Sequence, residues 1–142
     1  GSALVGDTMT FVAKVLEIKS NNTANFAITS GTKFNLGLLS SETKLPITRF
    51  SNQHSKPHRF ESIDISGYTC IEADILYKGY KGPLSPHDFL VFENVGSYSI
   101  VFKPPFILPN VAILEYNEET DAIEIIKRKE TYDDIFQTYT FG

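Results

Sequence analysis

The chain has 142 residues, 42% of them hydrophobic, and a formal net charge of −4 at pH 7. This length favours a single domain with a sizeable core, predicted here to span residues 3–142, after a Gly1-Ser2 start that resembles an expression-tag remnant. The acidic balance argues against a nucleic-acid partner, since phosphate binding needs a basic face. No apolar run reaches the length of a membrane span. One cysteine excludes an internal disulfide and is typical of a cytoplasmic protein.

Alternating apolar and polar residues predict β-strands along most of the chain. Short runs of Gly, Pro, Asn and Ser separate them, and residues 51–58, 79–87 and 103–109 are predicted to be loops. Many short strands at near-regular spacing indicate an all-β sandwich or barrel. The predicted strands are residues 10–19, 25–29, 45–50, 60–65, 68–77, 88–93, 97–102, 111–116 and 122–127.

One short helix is predicted near the end of the chain. Thr131 can accept a hydrogen bond from the first turn, and Asp134 follows three residues later. Tyr132, Ile135 and Phe136 supply an apolar face. A helix this short cannot be stable alone, so it is expected to dock on the sheet.

The only cysteine lies in the predicted strand 68–77. By the two-residue period of a strand, Cys70, Glu72 and Asp74 point to one side. A confined thiol could donate or accept a proton there. The alternative is that Cys70 is a small buried apolar residue and that the two acids face solvent.

A glycine turn that ends in a tyrosine follows in residues 88–99. Asn94-Val95-Gly96 is predicted to join two strands as a short hairpin connection. Tyr98 lies near the start of the second strand, and a rigid phenol is a good donor to an anionic group. The alternative is an ordinary strand aromatic with its hydroxyl at the surface.

These two segments resemble the C-terminal β-domain of the ornithine/diaminopimelate/arginine decarboxylases, the fold-type III enzymes that use pyridoxal phosphate (PLP). Residues 67–74 are similar to the family run Gly-Pro-x-Cys, acid, two residues, Asp. Residues 96–99 are similar to its Gly-Ala-Tyr-(Ser/Thr), and residues 127–135 are similar to the Arg-Arg-Glu-Thr-Tyr-Glu-Asp-Leu ending of diaminopimelate decarboxylases. The resemblance implies an all-β Greek-key barrel with one short C-terminal helix.

The resemblance also implies roles for four residues. Cys70 is expected to be a catalytic proton donor that reaches the partner subunit's active site, and Tyr98 to bind the phosphate of PLP. Asp74 and Phe106 are expected to bind substrate. The family's Schiff-base lysine lies in an N-terminal (β/α)8 barrel, and no segment of this sequence has the alternating pattern of such a barrel. The expected partners are therefore that barrel, a second copy in a homodimer, and an amino-acid substrate.

Several positions depart from the family pattern. Ile71 stands where the family has the acid that binds a distal amine, and the nearest acid is Glu72, which a strand would turn to the opposite face. Residues 30–38 also lack the arginine that diaminopimelate decarboxylases use to bind substrate. The substrate is therefore expected to be an amino acid other than ornithine or diaminopimelate.

Two other classes of function remain open. The chain could be a free-standing β-domain that binds a protein or small ligand without catalysis, or one subunit of a split decarboxylase. No metal site is predicted: His54 and His58 have a helical ligand spacing, but Pro57 places them in a loop without further ligands.

Overall fold

The computed structural model of the protein describes residues 2–37, 44–51 and 57–140. The chain forms two compact units, Gly1–Lys103 and Pro104–Gly142. Compact units need not fold independently, so the expectation of a single domain stays a prediction. The first unit contains a one-turn helix α1 (Ser2–Val5), a 3-10 turn (Lys33–Leu36) and the strands β1 (Phe11–Ser20), β2 (Asn25–Thr29), β3 (Ile47–Phe50), β4 (His58–Ser66), β5 (Ile75–Leu84) and β6 (Phe89–Phe92).

The six strands of the first unit form one sheet in the order β3-β6-β1-β2-β4-β5. Strands that are neighbours in space are often distant in sequence, as β6 is from β1, which is typical of a Greek-key arrangement. All pairs are antiparallel except β2 and β4, which run parallel.

Strand β1 joins the two halves of this sheet. Its first residues, from Phe11 to Lys14, pair with β6, and its later residues pair with β2. A register shift between Val15 and Glu17 marks the change of partner, and such a bulge bends a strand and increases its twist. The strands β3 and β5 form the two edges of the sheet. Lys44 lies just before β3, and its Nζ atom is 5.5 Å from the ring centroid of Tyr77 on β5. The sheet thus nearly closes into a barrel, and the predicted all-β fold class is confirmed.

Alternation along the strands builds the core. On β1 the side chains of Ala13 and Val15 are buried while Val12 and Leu16 are exposed, as the two-residue period requires. The buried side of the sheet excludes water over a contiguous apolar cluster, which drives its folding. The cluster consists of Ala13, Val15, Ala27, Leu36, Phe60, Ile63, Ile65, Leu76, Leu84, Leu90, Phe92 and Val95.

The second unit contains a hairpin and a helix. Strands β7 (Ile113–Asn117) and β8 (Ala122–Lys127) pair antiparallel, and α2 (Tyr132–Phe136) follows. The predicted cap of this helix is confirmed: Thr131 Oγ1 accepts from the Asp134 amide, while the Asp134 carboxylate accepts from the Thr131 amide. The helix that was predicted is therefore present, although α1 and the 3-10 turn were not expected.

Three of the element predictions are wrong in part or whole. Residues 68–74 are a connection, and the strand predicted at 68–77 begins only at Ile75. Residues 79–84 of the loop predicted at 79–87 belong to strand β5. Pro83 does not prevent this, because β5 lies at an edge of the sheet, where a proline is tolerated. Residues 97–102 form a turn instead of a strand.

Candidate functional site

Cys70 lies in the connection between β4 and β5. The amide of Gly67 donates to the carbonyl of Asp74 (2.8 Å), and the amide of Asp74 donates to the carbonyl of Ile71 (2.8 Å), so residues 67–74 form a compact loop. The thiol is free and exposed at its outer side. The expectation that Cys70, Glu72 and Asp74 share one strand face is therefore wrong, and so is the alternative of a buried Cys70.

Asp74 is the buried anchor of this loop, with 3% of its surface exposed. Its Oδ2 accepts hydrogen bonds from the hydroxyl and amide of Thr69, at 2.6 and 3.2 Å. Its Oδ1 accepts from the hydroxyl of Thr32 (2.8 Å) and the amide of Lys33 (2.7 Å). Donors to both oxygens compensate a buried carboxylate for its lost hydration. All of these donors belong to this chain, so Asp74 holds the loop in place, and its expected contact with substrate stays a prediction.

The donors Thr32 and Lys33 begin the 3-10 turn. The turn is closed locally: the amide of Thr32 donates to the side chain of Asn35 (2.9 Å), and the amide of Asn35 donates to the carbonyl of Thr32 (2.8 Å). Thr32, Asn35 and Leu36 are all buried. The segment 32–37 is thus a fixed support inside the first unit.

Gly37 ends this segment and lies directly against the turn that carries Tyr98. Its φ is +85°, a value that side chains disfavour. A Cβ atom at this position would overlap the carbonyl oxygen of Ser97 and lie 3.6 Å from the amide nitrogen of Ser99. Only glycine allows the two backbones to approach so closely.

The turn itself presents Tyr98 to solvent. Tyr98 has φ of +60°, and its carbonyl accepts from the amide of Phe102 (3.2 Å). This left-handed conformation cannot continue a ladder, which explains why no strand forms here. The ring packs edge-to-face on Phe102, with centroids 5.7 Å apart, and 45% of the residue is exposed. Within the described part of the chain, its hydroxyl has no hydrogen-bond partner.

The Cys70 loop and the Tyr98 turn therefore rest on opposite ends of one segment. Asp74 binds its beginning at Thr32 and Lys33, and the backbone of the Tyr98 turn meets its end at Gly37. At a rise of about 2 Å per residue, the two attachment points lie roughly 10 Å apart. Both loops carry an exposed residue, Cys70 in one and Tyr98 in the other.

A known protein family matches most of the first unit. The family described as "Pyridoxal-dependent decarboxylase, C-terminal sheet domain" matches residues 5–96. The chain belongs to this family. The match includes Cys70 and Asp74 and ends two residues before Tyr98.

Similar proteins are decarboxylases. An L-glutamyl-(BtrI acyl-carrier protein) decarboxylase of Niallia circulans is 32% identical over 87 residues, which are 61% of this chain and 20% of that protein. A probable chloroplastic diaminopimelate decarboxylase of Oryza sativa subsp. japonica is 27% identical over 98% of this chain and 28% of its own length.

Solved structures of the family share the fold. Diaminopimelate decarboxylase from M. jannaschii has a TM-score of 0.83 at 18% identity, over 100% of this chain and 32% of that one. The Helicobacter pylori enzyme, complexed with L-lysine, has a TM-score of 0.77 at 24% identity, over 96% and 33%. At these identities the likeness establishes the fold. The chain spans about a third or less of the length of these decarboxylases.

Phe106, the fourth residue singled out in the sequence, belongs to the second unit. It is exposed, and its amide donates to the carbonyl of Pro104 (2.8 Å). Ile71 and Glu72, the hydrophobic residue and the acid that depart from the family pattern, are exposed beside Cys70.

Sequence reasoning missed the residues that support the loops. These residues are Thr69, Thr32 and Gly37, none of which belongs to a motif that the sequence marks as functional. Thr32 followed three residues later by Asn35 has the spacing of a capping motif and could have indicated a turn start. Its pairing with Asp74, distant in sequence, has no local signal.

Over residues 2–37, 44–51 and 57–140, no group of three His, Cys, Asp or Glu side chains is placed to hold a metal ion. His54 lies outside the described residues, and His58 begins β4. No helix in the described ranges has the length and hydropathy needed to cross a lipid bilayer.

Proposed function

We propose that this chain is the C-terminal domain of a PLP-dependent amino-acid decarboxylase and that it contributes Cys70 and Tyr98 to the active site. The observation that carries the proposal is the family match over residues 5–96, which includes the exposed Cys70. The turn that carries Tyr98 follows directly after this match and rests on the same segment 32–37 as the Cys70 loop. The thiol and the phenol both face outward, so a site that uses them requires a second protein surface.

Cys70 is proposed to act as the proton donor. Cys70 is exposed on a loop that hydrogen bonds to Asp74 hold in place. An exposed thiol on a fixed loop suits a proton donor that must reach a substrate carbon on another protein surface. PLP, when bound, supplies the electron sink for cleavage of the carbon–carbon bond to the carboxylate. No lysine of this chain is assigned to the Schiff base.

Tyr98 fits one part of the PLP site. Its exposed hydroxyl, which has no hydrogen-bond partner among the described residues, can donate to a phosphate oxygen, and its ring is held edge-to-face against Phe102. One donor does not make a phosphate site. The other groups that hold PLP are therefore proposed to belong to an N-terminal (β/α)8 barrel, in the same or a separate polypeptide.

The proposed substrate is an amino acid. Phe106 is proposed to contact it, and Asp74 to shape the pocket only through the Cys70 loop, since its carboxylate oxygens are occupied within the chain. Ile71 replaces the acid that would bind a distal amine, which favours a substrate without a second amino group at that position.

The remaining expectations concern assembly. A homodimer is proposed, because the family resemblance implies that Cys70 reaches the active site of a second copy, and the exposed cysteine is compatible with that role. Neither PLP retention nor turnover is expected of the 142-residue chain alone. The cytoplasmic location stays a prediction.

The test is Cys70→Ala in a protein that joins this domain to its barrel. Turnover of a panel of amino acids should fall about 100-fold or more, as expected for the loss of a general acid, while PLP absorbance is retained. The matched control is Glu72→Gln, which changes an exposed side chain two residues away. Unchanged turnover in Cys70→Ala would show that the thiol has no part in the mechanism. If the parent protein turns over none of the amino acids, the proposed decarboxylase activity is wrong.

A further inference from the structure

We propose that Asp74 is a positioning residue that sets where Cys70 stands relative to Tyr98, through the segment 32–37. The inference rests on the proposed function for its catalytic meaning. Its structural content depends only on contacts within the first unit.

The first step is the link between Cys70 and Asp74. Thr69, the neighbour of Cys70, gives both its amide and its hydroxyl to Asp74 Oδ2, and its hydroxyl also accepts from the amide of Ile71 (3.4 Å). The residues on both sides of Cys70 are thereby tied to one buried carboxylate. Cys70 itself is exposed, so its position depends on these bonds and not on packing of its own side chain.

The second step is the link from Asp74 to the support. The other oxygen, Oδ1, binds the hydroxyl of Thr32 and the amide of Lys33. A carboxylate that accepts from two separate segments holds them at one separation, because its two oxygens are rigidly connected. In addition, the amide of Tyr68 donates to the carbonyl of Gly31 (3.1 Å), which makes a second bridge between the same segments.

The third step extends the support to Tyr98. At the other end of the segment, the backbone of Ser97 lies so close to Gly37 that any side chain would displace it. The carboxylate, the 3-10 turn and the glycine form a continuous path of hydrogen bonds and van der Waals contact between the two loops. The path is short, about 10 Å, so a shift at Asp74 changes the spacing between thiol and phenol.

Magnetic resonance on the 142-residue chain tests the structural content. Cys70 is the only cysteine, so one nitroxide attaches there, and Val101→Cys, at a residue that is 78% exposed in the Tyr98 turn, accepts another. The dipolar coupling between the two labels should give a single narrow separation. Thr69→Val, which removes one donor to Asp74, and Asp74→Asn should broaden this separation and increase the mobility of the label at Cys70.

Two further variants distinguish positioning from general destabilisation. Thr69→Ser keeps the hydroxyl and should restore the narrow separation, whereas Glu72→Gln, in the same loop but exposed, should leave it unchanged. All spectra are recorded at a temperature where each variant is fully folded by circular dichroism. If Asp74→Asn does not fold, Thr69→Val decides. A separation and mobility in Thr69→Val equal to those of the parent overturn the proposal.

Kinetics on the protein joined to its barrel test the catalytic meaning. Thr69→Val should lower kcat by a larger factor than it changes KM, with PLP absorbance retained, and Thr69→Ser should recover kcat. A fall in turnover with Cys70→Ala but not with Thr69→Val would refute positioning alone. No effect of Cys70→Ala would instead refute the proposed role of the thiol, and the spectroscopic result would stand independently.

Discussion

Arg49 Nε donates a 2.6 Å hydrogen bond to Asp88 Oδ2, and this ion pair fastens β3 to the start of β6. Asp88 is completely buried, and Arg49 Nη2 adds a second bond to Oδ1 at 3.2 Å. The amide of Ser85 also donates to Oδ2 (2.7 Å), while the backbone of Asp88 pairs with Val15 on β1. The carboxylate of Asp88 therefore holds β3 and the turn before β6, while its backbone holds β1.

This ion pair predicts acid-sensitive stability. Burial of Asp88 opposes ionisation, but hydrogen bonds from Arg49, Ser51 and the Ser85 amide outweigh it and lower its pKa below its usual value. The unfolded chain then binds the proton first as pH falls, so the stabilisation is complete above about pH 5 and is lost as pH falls through the folded pKa. We expect the free energy of unfolding, measured by urea denaturation from pH 6 to pH 2.5, to decrease over this window.

The variant Asp88→Asn should isolate this contribution. It removes the charge-assisted bonds and should lower the free energy of unfolding by about 2 kcal/mol at pH 7, with a flatter pH dependence below pH 5. Glu61→Gln, which removes an exposed carboxylate from β4, is the control and should keep the parent's slope. An acid slope in Asp88→Asn as steep as that of the parent would show that other groups cause the sensitivity.

Gly67→Ala should destabilise the fold through Asp74. A Cβ atom at Gly67 would overlap the carboxylate of Asp74, which is buried and cannot move without losing its donors. Overpacking together with weakened hydrogen bonds should cost about 3 kcal/mol of unfolding free energy.

The control for this change is Gly79→Ala. Gly79 has φ of +66°, but a Cβ atom there meets only Ser62 Oγ at 3.7 Å. Its cost is backbone strain of about 1 kcal/mol. Equal losses for the two variants, measured by chemical denaturation, would contradict the importance of the contact between Gly67 and Asp74.

Tyr98→Phe should weaken retention of PLP more than it slows chemistry in a protein joined to its barrel. Loss of one hydrogen bond to a charged phosphate should raise the dissociation constant of PLP about tenfold, as measured by dialysis followed by absorbance. Tyr139→Phe removes the hydroxyl of another exposed tyrosine and should have no effect. Equal retention by Tyr98→Phe and the parent would reject the phosphate contact.

The sequence predicts most of the strands because they carry a local period. Strand β2 was predicted with its observed bounds, and the buried residues Phe60, Ile63 and Ile65 of β4 fell inside their predicted strand. The strands predicted at residues 111–116 and 122–127 likewise correspond to the observed pair β7 and β8. These features depend on neighbouring residues, so the sequence alone reveals them.

The errors concern residues whose conformation depends on distant partners. Residues 68–74 alternate like a strand, but the carboxylate of Asp74 meets donors from Thr32 and Lys33, about forty positions away, and folds the segment into a loop. Residues 97–102 have the composition of a strand, but the positive φ of Tyr98 is incompatible with strand pairing. Cys70 and Tyr98 were found through family resemblance, and their common support could be seen only in three dimensions.

The start of α2 depends on the negative charge of Asp134. Hydrogen bonds from Arg128, and then from the amide and hydroxyl of Thr131, lower the pKa of Asp134 far below its usual value. Asp134 therefore stays ionised in the folded chain as pH falls, and the stabilisation of the cap is present above about pH 4 and lost only in stronger acid. We expect the helical Cα chemical shifts of residues 132–136 to persist at pH 4 in the parent and to be reduced at pH 7 in Asp134→Asn. Asp133→Asn removes the adjacent first-turn charge without touching the cap and should leave most of the helix intact. Helical shifts in Asp134→Asn equal to those of the parent would mean that the carboxylate does not determine where α2 begins.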